Sequence, residues 1–183
     1  MTPTEYKQMR AFARWGGLKT GLLWLASFAC YVWGLSNPGL GIVAMGLAAF
    51  TPVYAALQLR SFRDEAMGGI ISFGRGWGYV VMMLFYACII FALGQFIYFQ
   101  WIDKGYFVQS LTQMMMSQQN ADMLTQMGMM PMVQQSIDTL RQMRPIDMSL
   151  NIMSTNLIIS LLIALPIAAI MKRSQLKKVK DEK

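Results

Sequence analysis

The stretch that decides the fold reads Gly78-Tyr79-Val80-Val81-Met82-Met83-Leu84-Phe85-Tyr86-Ala87-Cys88-Ile89-Ile90-Phe91-Ala92-Leu93-Gly94-Gln95-Phe96-Ile97-Tyr98-Phe99-Gln100-Trp101. Residues 78–101 contain no Asp, Glu, Lys or Arg. A bilayer core about 30 Å thick needs roughly 20 apolar residues at about 1.5 Å rise each, so this segment is long enough to cross one as a helix. Trp77 and Trp101 bracket it, and aromatic residues favour the two membrane–water boundaries.

Three further stretches repeat the pattern. The first covers about 16–35 and is the shortest, with Lys19 close enough to its end to snorkel to the interface. The second, 39–59, is uncharged, and the fourth covers about 151–171. The sequence therefore predicts an all-α polytopic membrane protein: one domain, four transmembrane helices, and a long segment between the third and fourth. Composition agrees, with 55% hydrophobic and 14% charged residues and a mean hydropathy of +0.39, well above an ordinary soluble domain. The absence of histidine and the presence of only two cysteines exclude a His-based triad, a His-ligated metal site and a disulfide framework. Cys30 falls toward one end of the first span and Cys88 near the middle of the third, so a disulfide is not expected. Ser27-Phe28-Ala29-Cys30 is a poor lipoprotein cleavage box, because Ser27 and Phe28 are the wrong residues and Cys30 lies deep in the apolar stretch. The first span is expected to be retained.

Cytoplasmic connections keep Lys and Arg. Here 13 of the 16 basic residues fall on one side: Lys7, Arg10, Arg14 and Lys19 before or at the first span, Arg60, Arg63 and Arg75 between the second and third, and Lys172, Arg173, Lys177, Lys178, Lys180 and Lys183 after the fourth. Both termini are expected in the cytoplasm of a bacterial inner membrane. The net charge of +7 is then a topology signal and an attraction to anionic lipid headgroups, with no nucleic-acid partner expected.

Helices in lipid associate through small residues four apart and through interhelical hydrogen bonds. Gly17 and Gly21, Ala44 and Ala48, Thr51 and Ala55, Gly74 and Gly78, and Ser160, Ala164 and Ala168 supply such pairs, and Pro52 and Pro166 should kink the second and fourth spans. Gln95 lies six residues before Trp101 and Asn156 six after Leu150 on antiparallel helices, so the two amides should share a depth. They either hydrogen-bond to each other or line a path for a small solute. No charged residue sits deep in a span, which counts against a pump.

The connection between the second and third spans carries Arg63-Asp64, Gly68-Gly69, Ile71-Ser72-Phe73-Gly74 and Gly78. Arg63 can pair with Asp64 or Glu65, Gly68-Gly69 permits a sharp turn, and the glycines at 74, 76 and 78 permit close approach of a backbone or headgroup. No Lys-Ser/Thr end follows them, so this is not a phosphate-binding loop. With Gly16, Gly17 and Gly21 in the first span, these residues resemble a family of small bacterial four-span membrane proteins known only as a domain of unknown function. The resemblance covers nearly the whole chain. It implies a cell-envelope role beside lipid or lipid-linked glycan enzymes, without naming an activity, and it does not extend to the methionine-rich segment.

That segment, 103–150, holds ten methionines, at 114, 115, 116, 123, 127, 129, 130, 132, 143 and 148. Apolar residues at helical spacing, with a break at Gly128 and Pro131, predict two amphipathic pieces lying on the extracytoplasmic face. Clustered thioethers also suit a soft ion such as Cu(I), but no Cys or His supports that chemistry, and no metal or cofactor is expected. The resulting expectation is a non-enzymatic accessory or scaffold subunit of an envelope complex, with membrane lipid and another envelope membrane protein as partners. The alternative is a small-solute or lipid carrier using the Gln95, Gln100 and Asn156 face.

Overall fold

The computed structural model describes residues 3–173; the basic tail residues Lys177, Lys178, Lys180 and Lys183 lie outside them. Among the described residues there are seven α-helices: α1 (Pro3–Gly34), α2 (Pro38–Ala66), α3 (Phe73–Ile97), α4 (Tyr106–Met115), α5 (Gln118–Gln126), α6 (Met130–Gln142) and α7 (Pro145–Met171). Proline opens α2 and α7, where its fixed φ suits a helix start and its missing N–H costs nothing. The last turn of α3 widens into a π-helical turn, Tyr98–Ile102, in which the Asp103 N–H donates to the Tyr98 carbonyl at 2.9 Å.

Three helices are long and apolar enough to cross a membrane: Pro38–Ala66, Phe73–Ile102 and Pro145–Met171. All extend beyond the stretches 39–59, 78–101 and 151–171, because helix continues into the charged and polar flanks. α1 likewise begins at Pro3 rather than near residue 16. It is long, but Lys19 and its glycines and tryptophans dilute its apolar content. The segment 103–150 is divided differently from the two expected pieces. It forms three short helices, broken at Met116-Ser117 as well as near Gly128, whose φ is +68°, and its last residues already belong to α7.

α3 is the central helix, packed between α1 and α7, while α1 also packs on α2 and α2 meets α7 only sparsely. The apolar window of α3 is 44% buried, against 17% for α2. Glycine permits the α1–α3 contact. A Cβ on Gly17 would stand 2.5 Å from the Tyr86 Cβ and 2.7 Å from the Met83 carbonyl oxygen, and one on Gly21 would stand 2.9 Å from the Ile90 Cβ. Backbones this close gain dispersion contact along their length. At Gly94 the near neighbour is instead the side chain of Leu25, at 2.3 Å. These contacts advance along both helices together, so α1 and α3 run parallel. The densest core gathers where α2 ends and α3 begins, around Leu59, Phe62, Tyr79, Val80, Met83 and Leu84, all fully buried. The Phe62 and Tyr79 rings stack at 4.5 Å.

Candidate functional site

At that end of the bundle the motif residues form a junction of helix ends. α2 stops because Gly68 and Gly69 take φ of +62° and +83°, a region where a side chain is strained. The Gly69 N–H donates back to the Arg63 carbonyl at 2.9 Å. The Arg63 side chain, 11% exposed, grips Asp64 with two bonds, Nε to Oδ1 at 2.7 Å and Nη2 to Oδ2 at 3.1 Å. It also donates through Nη1 to the Met171 carbonyl at 3.1 Å. That carbonyl is one of the unpaired acceptors at the C-terminus of α7, where a cation is favoured. Asp64 lies beyond the uncharged stretch of α2, and its hydrogen bond with the guanidinium holds its carboxyl below the ordinary carboxylate range. Glu65 takes the Ser61 hydroxyl instead.

Beyond the glycines, Ile71 exchanges both backbone hydrogen bonds with Arg173, each 3.0 Å, so the α2–α3 connection is laced to the exit from α7. Ser72 then caps α3, its Oγ accepting from the Arg75 N–H at 3.5 Å. The glycines that follow divide. Gly76 is buried against Leu59 and Ala168, whereas Gly74 and Gly78 have open space where a Cβ would go, and Phe73 is exposed. The structure thus brings Arg63, Asp64, Gly68, Gly69 and Ser72 into one junction and leaves Phe73, Gly74 and Gly78 at its surface. The reach of Arg63 to α7 was not readable from the sequence, because nothing in the pattern reports which helix end lies beside which.

At the opposite end lies a cavity of about 460 Å³ between α1, α2, α3 and α7, roofed by Phe107 of α4. Its wall contains no charged residue: Trp24, Phe28, Phe91, Thr51, Ile159 and Ile163 are typical of it. Gln95 and Asn156 both line it. The hydrogen bond expected between them is not formed. Gln95 is 1% exposed and its Oε1, covered by surrounding protein, has no hydrogen-bond partner. Other polar groups of the wall are paired: Trp24 Nε1 donates to Thr51 Oγ1 and Ser27 Oγ to the Ala44 carbonyl, each 2.9 Å. Gln100, near the exposed end, does not line the cavity.

Asp103 fastens the methionine-rich insertion to the bundle. Its Oδ1 accepts from the Tyr98 hydroxyl and the Phe107 N–H, both 2.8 Å, and its Oδ2 from the Gly105 N–H at 3.0 Å. A carboxylate two residues before a glycine turn is a recognisable cap, and the sequence reading passed over it. Tyr106 and Ser36 add a hydroxyl–hydroxyl bond of 2.6 Å to the α1–α2 turn. Among the described residues no cluster of three His, Cys, Asp or Glu side chains is placed to hold a metal ion. Met127, Met129 and Met132 are exposed, and Cys30 and Cys88 are both free thiols.

No curated protein and no solved structure matches the chain. Residues 16–173 match the family described as "Protein of unknown function (DUF4199)", a span that takes in α1 from Gly16 onward, the whole of α2, α3 and α7, the junction and the cavity. The chain belongs to that family.

Proposed function

We propose that this chain is a non-enzymatic accessory or scaffold subunit of a bacterial cell-envelope complex, built as a four-helix bundle that crosses the inner membrane four times. In this reading both termini and the Arg63 junction face the cytoplasm, and the α4–α6 insertion lies on the extracytoplasmic side. The placement of Lys and Arg supports this orientation. For α1 as the fourth span, the support is the pair of exposed tryptophans, Trp15 and Trp33, whose 18-residue separation is about 27 Å of helix.

The observation that carries the accessory reading is the commitment of the motif. Arg63, Asp64, Gly69, Ile71 and Ser72 are engaged in closing helix ends and tying α2, α3 and α7 together, which suits a part whose shape is its contribution. Membrane lipid and a second envelope membrane protein are its partners in this account, and nucleic acid is not. The test is purification from the native membrane in mild detergent. A stoichiometric envelope protein, lost with Arg63→Ala but retained with Gly74→Ala, supports the scaffold. Solute flux across liposomes holding this chain alone contradicts it and favours a carrier, the second reading, which the cavity at Gln95 supports.

A further inference from the structure

From the basic face of α1 we infer a site for the phosphate of an anionic glycerophospholipid, formed by Arg10, Arg14 and the Tyr86 hydroxyl. The inference rests on α1 being a membrane span, but not on which way the chain faces or on the accessory role. Three observations carry it. First, the cleft between α1 and α3 gathers hydrogen-bond donors without a counter-charge. Gly17 admits Tyr86 so closely that a Cβ there would stand 2.5 Å from the Tyr86 Cβ, and the Arg14 and Arg10 guanidiniums both come within hydrogen-bonding reach of that ring's hydroxyl. Arg10 also lies over the Tyr6 ring, 5.8 Å from its centroid, a cation–π contact that helps to hold it in place. A guanidinium only donates, so the phenol oxygen accepts from it and the O–H proton is left free for a further acceptor. Among the described residues no carboxylate pairs with Arg10 or Arg14; Glu5, the acidic residue of α1, pairs with Arg75 at 3.7 Å. Two exposed guanidiniums and a phenol O–H make an arrangement that a phosphate satisfies.

Second, the depth is that of lipid headgroups. Because Gly17 sits against Tyr86 and Ala87 and Gly21 against Ile90, Arg10 and Arg14 stand roughly level with Tyr79 and Met83 of α3. Measured from Trp77 that is about 3 and 9 Å along the helix, within the headgroup layer and the first chain carbons. Trp15 follows directly and is 66% exposed, as suits an aromatic residue at the boundary. Third, the surface below the cations gives the source of the phosphate. Leu18 and Leu22 follow Arg14 at four-residue spacing, so they continue its stripe of the helix, and both are exposed. A water-soluble phosphate gains nothing from that stripe, whereas an acyl chain does. Lys7, one turn before Arg10 and exposed, repels the ammonium of a choline or ethanolamine head, so the head is one of net negative charge, as in phosphatidylglycerol.

The experiment measures the lipid retained by the full chain in a neutral detergent, by native mass spectrometry, with phosphatidylglycerol and phosphatidylcholine of the same chains. One phosphatidylglycerol should be held about tenfold more tightly than phosphatidylcholine, as a charge-assisted contact implies. Arg10→Lys and Arg14→Lys keep the charge but lose the planar fork, and each should weaken phosphatidylglycerol about fivefold. Tyr86→Phe removes one donor and should weaken it about threefold. Lys19→Gln removes a charge about 140° around α1 from Arg14 and should change nothing. Glycerol phosphate in large excess should leave the lipid in place. Equal retention of the two lipids overturns the site, and so does displacement by glycerol phosphate, which would mean a site for a water-soluble anion. Arg→Lys variants that bind like the parent while Lys19→Gln weakens binding would reduce the effect to diffuse attraction and overturn it too. In a chain with Cys30 and Cys88 replaced by Ala, Leu22→Cys that reacts in the membrane with an aqueous thiol reagent as readily as Ser117→Cys would take α1 out of the bilayer, and the span reading fails with the site. Leu22→Cys shielded, with phosphatidylglycerol held no better than phosphatidylcholine, sinks the site alone.

Discussion

The two ends of the bundle solve opposite problems. At the Arg63 junction, helix ends that would leave unpaired carbonyls and N–H groups are closed by a guanidinium, two left-handed glycines and a backbone exchange with Arg173, around a core packed to full burial. At the Gln95 end, the helices part around about 460 Å³ and leave a buried amide oxygen unpaired. At the first end the Arg63, Asp64 and Ser72 side chains are engaged in closing helix ends, and among the described residues only the Tyr79 hydroxyl in the core beneath them is buried without a partner.

Substitutions should reproduce this contrast. The largest effect is expected at Gly17, where backbone as well as side chain stands in the way. Gly17→Val should cost about 3 kcal/mol or prevent accumulation of folded protein, measured by thermal unfolding in mild detergent. Gly94→Ala meets only the movable end of Leu25 and should cost under about 1 kcal/mol, while Gly74→Ala and Gly78→Ala, with open space around them, should change nothing. Equal losses at Gly17 and Gly78 would break the account of α1–α3 packing.

Next is Arg63→Ala, which removes a charged donor from the α7 terminus as well as from Asp64 and should cost about 2 kcal/mol. Asp64→Ala removes only a 41% exposed partner and should cost no more than about 1 kcal/mol. The reverse order would make the ion pair, rather than the reach to α7, the important contact.

How legible this was in the sequence follows physical lines. The long helices were readable because about 20 uncharged residues have one outcome in a membrane, and the Gly17–Gly21 contact because four-residue spacing puts both on one face. Gln95 and Asn156 could be assigned a common depth by counting turns, but not a distance, because lateral separation depends on how four helices share a cross-section. The break at Met116-Ser117 carries no Gly or Pro, so the insertion read as two helices instead of three.

The smallest effects fall at unpaired or exposed groups. The Tyr79 hydroxyl is buried without a partner, so Tyr79→Phe should leave stability unchanged or slightly raised; a loss above about 1 kcal/mol would mean the hydroxyl is satisfied in the membrane. Replacing Met127, Met129, Met130 and Met132 together with Leu should leave abundance unchanged and reveal no copper lost on purification, since Leu supplies the same apolar surface.

The most direct test of the account is which end faces which side. In a chain with Cys30 and Cys88 replaced by Ala, single cysteines at Ser117 on the insertion and at Ser61 beside the junction would be exposed to a membrane-impermeant thiol reagent in intact cells. Labelling of Ser117→Cys alone, with Ser61→Cys reacting only after the membrane is opened, is the predicted result. Labelling of Ser61→Cys from outside, or of both positions equally, would contradict it.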